Sequence, residues 1–283
     1  MPQAERRPTA VRDAFDLGGR VVVITGGAGL LGSQHAAAIA ELGGIPVLAD
    51  VDREAACQRA EELRETFGTT SLAIGVDVTD ERSVEALLAV TLQELGRIDA
   101  LINNAAIDPK VESGSGPHWS RLENFPLDVW SRDIAVGLTG AFLCSKVIGA
   151  ELARRGKGAI VNIASDLALV GPDQRIYRQP GLPEQEQPVK PVSYSVVKSG
   201  MLGLTRYLAT YWAANGVRVN AICPGGVRTE QDENFVASLT NLIPMARMAQ
   251  PDEYRAAIAF LASDASSYMT GATLVVDGGR TCW

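Results

Sequence analysis

The chain has 283 residues, of which 46% are hydrophobic, and its 33 acidic and 26 basic residues give a formal net charge of −7. A chain of this length is near the upper limit for one hydrophobic core, so we expect a single domain with loop insertions. The acidic balance disfavours binding to nucleic acid or to an anionic membrane, and no uninterrupted apolar run is long enough to span a bilayer.

The first sixteen residues are polar and have no apolar centre. We therefore expect a flexible arm over 1–16 rather than a secretory signal, followed by one domain over 17–283. The four cysteines are scattered without zinc-like spacing, which favours reduced thiols and a cytoplasmic protein. With only two histidines we expect no metal site, and we place His35 on a helix surface and His118 in a loop.

The first strong pattern is an apolar run, Val21–Ile24, which predicts a short strand buried on both faces. A glycine-rich turn follows, and then a helical run over Ser33–Leu42. Gly27, Gly29 and Gly32 match the G-x-G-x-x-G fingerprint, in which the missing side chains permit a tight turn and close approach to a pyrophosphate. The free N–H groups at the start of the helix then predict a dinucleotide phosphate site.

A second buried strand, Ile45–Ala49, is followed by Asp50, which is 50 − 32 = 18 residues after the last glycine. A carboxylate at this place accepts hydrogen bonds from both hydroxyls of an adenosine ribose and repels a 2′-phosphate. Asp50 therefore predicts NAD rather than NADP. The alternative is that Asp50 caps the next helix, a role that Asp52 fits as well.

Helical and strand patterns alternate after Asp50. The resulting βαβαβαβ order predicts a Rossmann-type, doubly wound parallel sheet in a three-layer α/β fold of one domain. Ligands of such sheets bind beyond the carboxyl ends of the strands, where Asp77, Asn104 and the glycine turn at 26–32 fall. The predicted elements are a helix over Arg53–Phe67, a strand over Ser71–Val76, a helix over Glu81–Leu95 and a strand over Ile98–Ile102.

The second half of the chain adds two long helices and further strands, separated by irregular segments. We expect the proline-rich residues 171–191 to form a loop insertion and residues 230–250 to form a substrate lid. Tyr194 and Lys198 are four residues apart in a predicted helix, so they lie on one face. The predicted segments are an irregular loop over Ile107–Pro126, helices over Leu127–Arg154, Tyr194–Ala214 and Asp252–Ala262, and strands over Ala159–Ile163, Val217–Cys223 and Thr273–Val276.

A series of short motifs, taken in chain order, resembles the short-chain dehydrogenases/reductases. The resemblance extends over about Leu17–Gly279, nearly the whole chain, and is closest to the compact branch of that family. The motifs are Thr25-Gly26 with Gly32, Asp77, Asn103-Asn104-Ala105, Ser165, Tyr194-x-x-x-Lys198, Pro224-Gly225 and Asp277-Gly278-Gly279.

The resemblance implies that Tyr194 is the acid/base of a hydride transfer, that Lys198 tunes it and binds a ribose, and that Ser165 orients the substrate oxygen. A tyrosine has an unperturbed pKa of about 10, and an ammonium one helical turn away lowers it towards neutrality. The residues that the resemblance and the motifs assign to the cofactor are Gly26, Gly29, Leu30, Leu31, Gly32, Asp50, Asp77, Val78, Asn104, Tyr194, Lys198, Val227 and Thr229.

Three departures from the family pattern bear on these expectations. Gly137 stands where the family usually has an Asn that helps to hold a water between the lysine and solvent, so we expect a rerouted proton path. Leu30 replaces a glycine of the compact branch, which makes the turn similar to that of the extended branch acting on nucleotide sugars. Ser165 and Tyr194 are 194 − 165 = 29 residues apart, more than double the usual gap, because of the 171–191 insertion.

We predict an NAD(H)-dependent oxidoreductase that interconverts a secondary alcohol and a ketone. Arg175, Tyr177 and Arg178 suit a small polar or sugar-like substrate, with solvated loop charges as the alternative. Two other functions stay open, an epimerase or dehydratase that uses NAD on a nucleotide sugar, and a non-catalytic dinucleotide-binding protein. Family members usually associate through their two long helices, so we expect a homo-oligomer, a tetramer or dimer.

Overall fold

A computed structural model describes residues 10–107 and 118–283 of the chain. Within these residues, one parallel seven-stranded sheet lies between two layers of helices, which confirms the predicted doubly wound α/β fold. The predicted N-terminal arm lies outside the described residues except for 10–16, which include a short helix, α1 (Val11–Ala14). Most of the irregular loop predicted over Ile107–Pro126 also lies outside them.

The described strands are all parallel and lie in the order β3-β2-β1-β4-β5-β6-β7. They are β1 (Val21–Thr25), β2 (Ile45–Asp50), β3 (Leu72–Gly75), β4 (Ala100–Asn103), β5 (Gly158–Ile163), β6 (Val217–Pro224) and β7 (Thr273–Val276). The helices after α1 are α2 (Leu30–Glu41), α3 (Arg53–Phe67), α4 (Glu81–Leu95), α5 (Leu127–Ile134), α6 (Gly140–Arg155), α7 (Val192–Trp212), α8 (Glu233–Thr240) and α9 (Arg255–Ala262). Strand order reverses between β1 and β4, which is where ligands of open α/β sheets bind.

The core consists of two apolar layers, one on each face of the sheet. Because successive side chains of a strand point to opposite faces, Val22 and Ile24 of β1 join the layer under α2, α3 and α9. Val21 and Val23 join the layer under α4, α6 and α7. The strands are therefore apolar at nearly every position, as expected for a sheet covered on both sides.

The long helix predicted over Leu127–Arg154 is divided in the structure. Helix α5 and helix α6 are joined by a turn of π-helix, Ala135–Thr139, which contains Gly137. By length and composition the whole run Leu127–Arg155 could cross a membrane. However, Ile148 and Leu152 of α6 are fully buried against the sheet, so its apolar character is that of a core helix.

The pairing of the strands brings the carboxyl ends of β1, β2, β4, β5 and β6 to one edge of the sheet. Thr25 pairs with Ala49, and Asn103 pairs with Asn162. Ile163 pairs with Ile222. As a result, the glycine turn and the polar residues that follow these strands all face one cavity.

Candidate active site

The cavity at the carboxyl edge of the sheet has a volume of about 1160 Å³. Such a volume exceeds that of most single-ligand pockets and suits a dinucleotide with a small substrate beside it. All the residues that the sequence assigned to catalysis line it, as do all the assigned cofactor residues except Gly32. Gly32 lies beneath the turn and has a steric role. The functional roles of these residues stay predictions.

The glycine turn is built by backbone sterics. Gly26 has φ = 62°, and a Cβ on Gly32 would lie 2.0 Å from the carbonyl oxygen of Gly26. Helix α2 begins at Leu30, three residues earlier than predicted, and Gly29 at its N-cap provides no side-chain cap. The first N–H groups of α2 are therefore available to an anion, and Leu30 and Leu31 line the cavity there.

Asp50 ends β2 and points back towards the glycine turn. Its Oδ2 accepts a hydrogen bond from the Ala28 N–H (2.9 Å) and its Oδ1 accepts one from the Asp52 N–H (3.1 Å). The helix-capping alternative for Asp50 is wrong, because the Asp52 carboxylate caps α3 by accepting from the Ala55 N–H at 3.0 Å. The cavity residues next to Asp50 include Val51 but no Lys or Arg.

Asp77 and Val78 follow β3 and line the cavity. Asp77 Oδ1 accepts hydrogen bonds from both the hydroxyl (2.7 Å) and the N–H (2.9 Å) of Thr79, and these bonds lower the pKa of Asp77. Val78 is buried against α6, where a Cβ on Gly140 would be 2.7 Å from Val78 Cγ2. A small residue at position 140 therefore lets the helix lie close to this wall.

Asn104 ties β4 to the glycine turn. Its Nδ2 donates to the carbonyl oxygens of Thr25 and Gly26, both at 3.0 Å. The neighbouring Asn103 is buried and donates to Asn162 Oδ1 at 2.8 Å, on the adjacent strand β5. Sequence reasoning missed this second contact, although an Asn at the end of an apolar strand is an unusual residue to bury unless it has partners.

The three candidate catalytic residues meet at the junction of β5 and α7. Ser165 is buried just after β5, while Tyr194 and Lys198 lie one turn apart on α7. Lys198 is buried, and its Nζ donates to the carbonyl oxygen of Ile163 at 2.9 Å and lies 5.8 Å from the centre of the Tyr194 ring. The arrangement places a phenol, an ammonium and a hydroxyl along one wall of the cavity.

Two charged residues beside this wall were missed by sequence reasoning. Lys190, the penultimate residue of the insertion, holds its Nζ 3.8 Å from the centre of the Tyr194 ring. Asp166 directly follows Ser165, and its Oδ1 accepts from Ser165 Oγ at 2.8 Å. Burial raises the pKa of Asp166. In the sequence, Lys190 and Asp166 are recognisable only as charged residues close to the predicted catalytic residues.

The structure also shows how Gly137 fits in the π-helical turn. A Cβ at position 137 would lie 2.6 Å from Val197 Cγ1 on α7, so an Asn would fit there only if Val197 moved. Val197 thus occupies the volume that a larger residue at position 137 would need. The two residues form an apolar contact next to Lys198.

The 171–191 insertion and the 230–250 segment pack against each other over the cavity. Tyr177 of the insertion contacts Phe235 of α8, with ring centres 5.5 Å apart, and both rings line the cavity. Arg175 pairs with Asp173 at 2.6 Å and Arg178 pairs with Glu184 at 2.6 Å. Neither arginine lines the cavity, so the structure supports the alternative that they are solvated loop charges.

Val227 and Thr229 follow β6 and line the cavity beneath the 230–250 segment. The Gln231 side chain joins them, since it accepts from the Thr229 N–H at 2.7 Å and donates to the Val227 carbonyl at 2.8 Å. Val227 also forms a parallel bridge with Ala249. Side-chain and backbone contacts therefore hold both ends of this segment near the cavity.

Arg280 is a further cavity residue that sequence reasoning missed. It follows the motif Asp277-Gly278-Gly279, and the Asp277 carboxylate holds this turn by accepting from the N–H groups of Gly279 (2.9 Å) and Thr281 (2.8 Å). Arg280 lines the cavity, and its Nε is buried without a hydrogen-bond partner. Its position depends on the turn after β7, which no local pattern relates to Ser165.

The prediction for His35 is wrong, whereas that for His118 is confirmed. His35 is fully buried rather than on a helix surface, and burial lowers its pKa to about 3. The reason is that α2 is covered by α9 on the side that sequence reasoning left open to solvent. His118 lies in a loop, as predicted, and is buried there, with its Nδ1 2.8 Å from Ser120 Oγ. Over the described parts of the chain, no three metal-ligating side chains cluster.

Two family models match most of the chain. One, described as short chain dehydrogenase, matches residues 20–177, and one, described as Enoyl-(Acyl carrier protein) reductase, matches residues 184–281. The chain is 38% identical over 267 residues to the cis-4-hydroxycyclohexanecarboxylate dehydrogenase of Sinomonas cyclohexanicum, covering 93% of this chain and 96% of that protein. It is 36% identical over 272 residues to the D-threitol dehydrogenase of Mycolicibacterium smegmatis, covering 94% and 95%.

Solved structures show the same architecture. A short-chain type dehydrogenase/reductase from Mycobacterium marinum superposes with a TM-score of 0.84 at 30% identity, covering 97% of this chain and 100% of that one. Relatives of 30% to 33% identity include one enzyme named as NAD-dependent and one named as NADP-dependent. The choice between the two cofactors therefore depends on the residues of this chain.

Proposed function

Because the chain belongs to the short-chain dehydrogenase/reductase family, we propose that it is an NAD-dependent dehydrogenase that interconverts a secondary alcohol and a ketone. Members of this family bind a nicotinamide dinucleotide, and relatives of this chain are dehydrogenases of alcohols. The observation that carries the proposal is that Ser165, Tyr194 and Lys198 line the same cavity as the glycine turn and Asp50.

The residues of the chain fit a dinucleotide. The absence of a side chain at Gly32 and the uncapped start of α2 provide a cradle for a pyrophosphate, and Asn104 holds that cradle to β4. When bound, the nicotinamide supplies or accepts the hydride at the substrate carbon. We propose that Val227 and Thr229, which line the cavity after β6, hold its carboxamide.

The chain's own residues supply the proton chemistry. In the direction of oxidation, the Tyr194 phenolate takes the proton of the substrate hydroxyl, and in reduction the phenol returns it. The Lys198 ammonium stabilises the phenolate, because an opposite charge nearby favours the ionised form. We propose that the Ser165 hydroxyl exchanges its hydrogen bond to Asp166 Oδ1 for one to the substrate oxygen and keeps that oxygen facing Tyr194. Val197 fills the space next to Lys198, so we propose that protons leave towards the cavity.

The preference for NAD rests on the charge around Asp50. Its carboxylate lies at the edge of the cavity, held by the Ala28 N–H, and Val51 and Asp52 next to it bring no positive charge. A 2′-phosphate at this place would meet the carboxylates of Asp50 and Asp52, which both line the cavity. A ribose with both hydroxyls free would instead donate to Asp50. This arrangement favours NAD.

We propose that the protein is a homo-oligomer joined through the long helices. Phe142 of α6 and Tyr207 and Tyr211 of α7 are about half exposed or more, and the two tyrosine rings stack 5.8 Å apart. Exposed aromatic residues clustered on adjacent helices are typical of subunit interfaces.

A cytoplasmic location is part of the proposal, because Cys144 and Cys223 are free and buried.

Replacement Tyr194→Phe tests the proposed function. The phenyl ring keeps the packing but cannot exchange a proton, so kcat should fall about 10³-fold or more while the Kd for NADH changes little. Turnover is followed at the absorbance of NADH with a panel of secondary alcohols and ketones, and NADH binding by its fluorescence. Unchanged turnover in this variant would contradict the assignment of Tyr194 as the acid/base. No turnover of any alcohol or ketone by the wild type would contradict the proposed function itself.

A further inference from the structure

Asp166 presents one bonded and one unbonded carboxylate oxygen. Its Oδ1 accepts from Ser165 Oγ and from the Leu167 N–H, both at 2.8 Å. Its Oδ2 has no hydrogen-bond partner among residues 10–107 and 118–283, although the side chain is only 7% exposed and lines the cavity. This oxygen is not fully buried but open to the cavity, so a ligand there is the natural source of a donor.

Arg280 presents the complementary group on the same wall. Its Nε is buried without a partner, and no carboxylate among the described residues lies within ion-pair distance of its guanidinium. Its positive charge is near enough to act on Asp166, since it favours the ionised form of that carboxyl and opposes the effect of burial on its pKa. The cavity therefore offers an acceptor and a donor that are not bonded to each other.

A hydroxyl group uses both partners, because it donates one hydrogen bond and accepts others. A substrate carboxylate could accept from Arg280 but would be repelled by Asp166. The bonded oxygen of Asp166 is 2.8 Å from Ser165 Oγ, so its free oxygen, on the same carboxyl group, is also close to the proposed reacting centre. We expect a hydroxyl on the carbon next to the reacting one to be the substrate group that reaches it.

We propose that Asp166 and Arg280 select a substrate with a hydroxyl group next to the reacting carbinol, that is, a vicinal diol or a longer polyol. The inference rests on the proposed function, because that function places the reacting hydroxyl between Ser165 and Tyr194. Asp166 accepts from the neighbouring hydroxyl, and Arg280 donates to its oxygen or to that of the next hydroxyl. The pair thus binds the part of the substrate that does not react.

Three four-carbon compounds test the proposal, because each has a secondary alcohol and they differ in the group beside it. They are 2-butanol, 2,3-butanediol and 3-hydroxybutanoate, each assayed with NAD for kcat/KM. The wild type should use 2,3-butanediol about 10- to 100-fold better than 2-butanol, as expected for a hydrogen bond to a charged group. A preference for 3-hydroxybutanoate would overturn the proposal and assign Arg280 to a substrate carboxylate. Equal use of 2-butanol and the diol would also overturn it.

The variant Asp166→Asn separates recognition from the support of Ser165. Its amide oxygen can still accept from Ser165 and Leu167, but an NH₂ group replaces the free oxygen and cannot accept from a substrate hydroxyl. The ratio of kcat/KM for diol to that for 2-butanol should fall at least 10-fold, and a common loss on both substrates cancels in this ratio. An unchanged ratio would overturn the proposal.

Two further variants complete the test. Arg280→Gln should lower the same ratio about 3- to 10-fold, since it removes the charge but keeps one donor. Arg178→Gln is the matched control, because Arg178 pairs with Glu184 and neither residue lines the cavity, so the ratio should stay at the wild-type value. NADH fluorescence titration and a thermal melt verify that each variant is folded. If the wild type turns over none of the three compounds, the proposed function fails and the inference fails with it, whereas turnover without diol preference contradicts the inference alone.

Discussion

The cavity has two halves that are built in different ways. The half at the ends of β1 to β4 is called the cofactor half after its proposed ligand. Its residues are fixed by hydrogen bonds between side chains and backbone, such as those that Ala28 donates to Asp50 and Asn104 donates to Gly26. The substrate half lies at the ends of β5 to β7 and beneath two long segments. There, side chains from distant parts of the chain meet, as Tyr177 and Phe235 do.

This difference explains why the two halves are unequally predictable. In the cofactor half, a few glycines and one carboxylate at fixed spacing suffice, because sheet pairing leaves them little freedom. In the substrate half, whether a charged side chain faces the cavity depends on whether an oppositely charged residue pairs with it elsewhere. Arg175 is neutralised by Asp173 within its own loop, whereas Arg280 reaches the cavity and has no carboxylate partner among the described residues.

The largest effect on stability or NADH binding is expected in the cofactor half, where the backbone of Gly32 packs against the backbone of Gly26. Gly32→Ala would place a Cβ 2.0 Å from the Gly26 carbonyl oxygen, which cannot move without breaking the turn. We expect a loss of about 4 kcal/mol or more in the free energy of unfolding, or loss of NADH binding, measured by urea unfolding and by fluorescence. Gly203→Ala in α7 is the control, since a Cβ there meets nothing within 4 Å. Tolerance of Gly32→Ala would contradict the steric origin of the turn.

A second test of the cofactor half uses the buried His35. Its pKa is about 3 in the folded protein and about 6.5 when unfolded, so the unfolded state binds more protons between these values. Stability is then full above pH 6.5 and is lost as pH falls through this window. We expect a loss of about 2 to 3 kcal/mol in the free energy of unfolding between pH 7.5 and 4.5.

His35→Leu removes the titrating group and should remove that pH dependence, as measured by urea unfolding at each pH. The effect should also be separable from those of lowered carboxyl pKa values, such as that of Glu253 at about 2, which act at lower pH. An equal pH dependence in wild type and variant would show that His35 is not its source.

A third test concerns the contact between Gly137 and Val197, at the boundary between the two halves. Gly137→Asn forces a side chain against Val197 Cγ1, and overpacking of this kind costs about 1 to 3 kcal/mol of stability. Adding Val197→Ala makes space and should recover a large part of the loss, as measured by the midpoint of urea unfolding. Independent, additive effects of the two changes would contradict their direct contact.

The smallest effect is expected from Lys190 in the substrate half. Its ammonium lies 3.8 Å from the centre of the Tyr194 ring and favours the phenolate. Lys190→Met should raise the apparent pKa that governs kcat/KM by about one unit or less, whereas Lys190→Arg should leave it nearly in place. The apparent pKa of each variant is measured from the pH profile of kcat/KM in the direction of alcohol oxidation. The same pH profile in the wild type and both variants would show that Lys190 does not affect the ionisation of Tyr194.

Much of the fold could be predicted from the sequence because its signals are local. The apolar run before Gly26, the alternation of helices and strands, and Asp50 after the second strand each depend on neighbours in the chain. The start of α2 was misplaced by three residues, because the turn and the helix share Leu30 and Leu31 and no capping side chain separates them. His35 was misplaced because the helix that covers it, α9, is more than two hundred residues away.

By itself, the sequence determined the parallel sheet, the edge of the sheet at which the cavity lies and the family's class of cofactor, since buried strands and glycine turns are enforced by hydrogen bonding and sterics within short segments. Only the tertiary structure decided which charged residues line the cavity. Asp166, Lys190 and Arg280 were all visible in the chain as ordinary charges. All three reach the cavity because strand pairing and loop packing bring together residues that are far apart in the chain, and no local sequence pattern predicts this proximity.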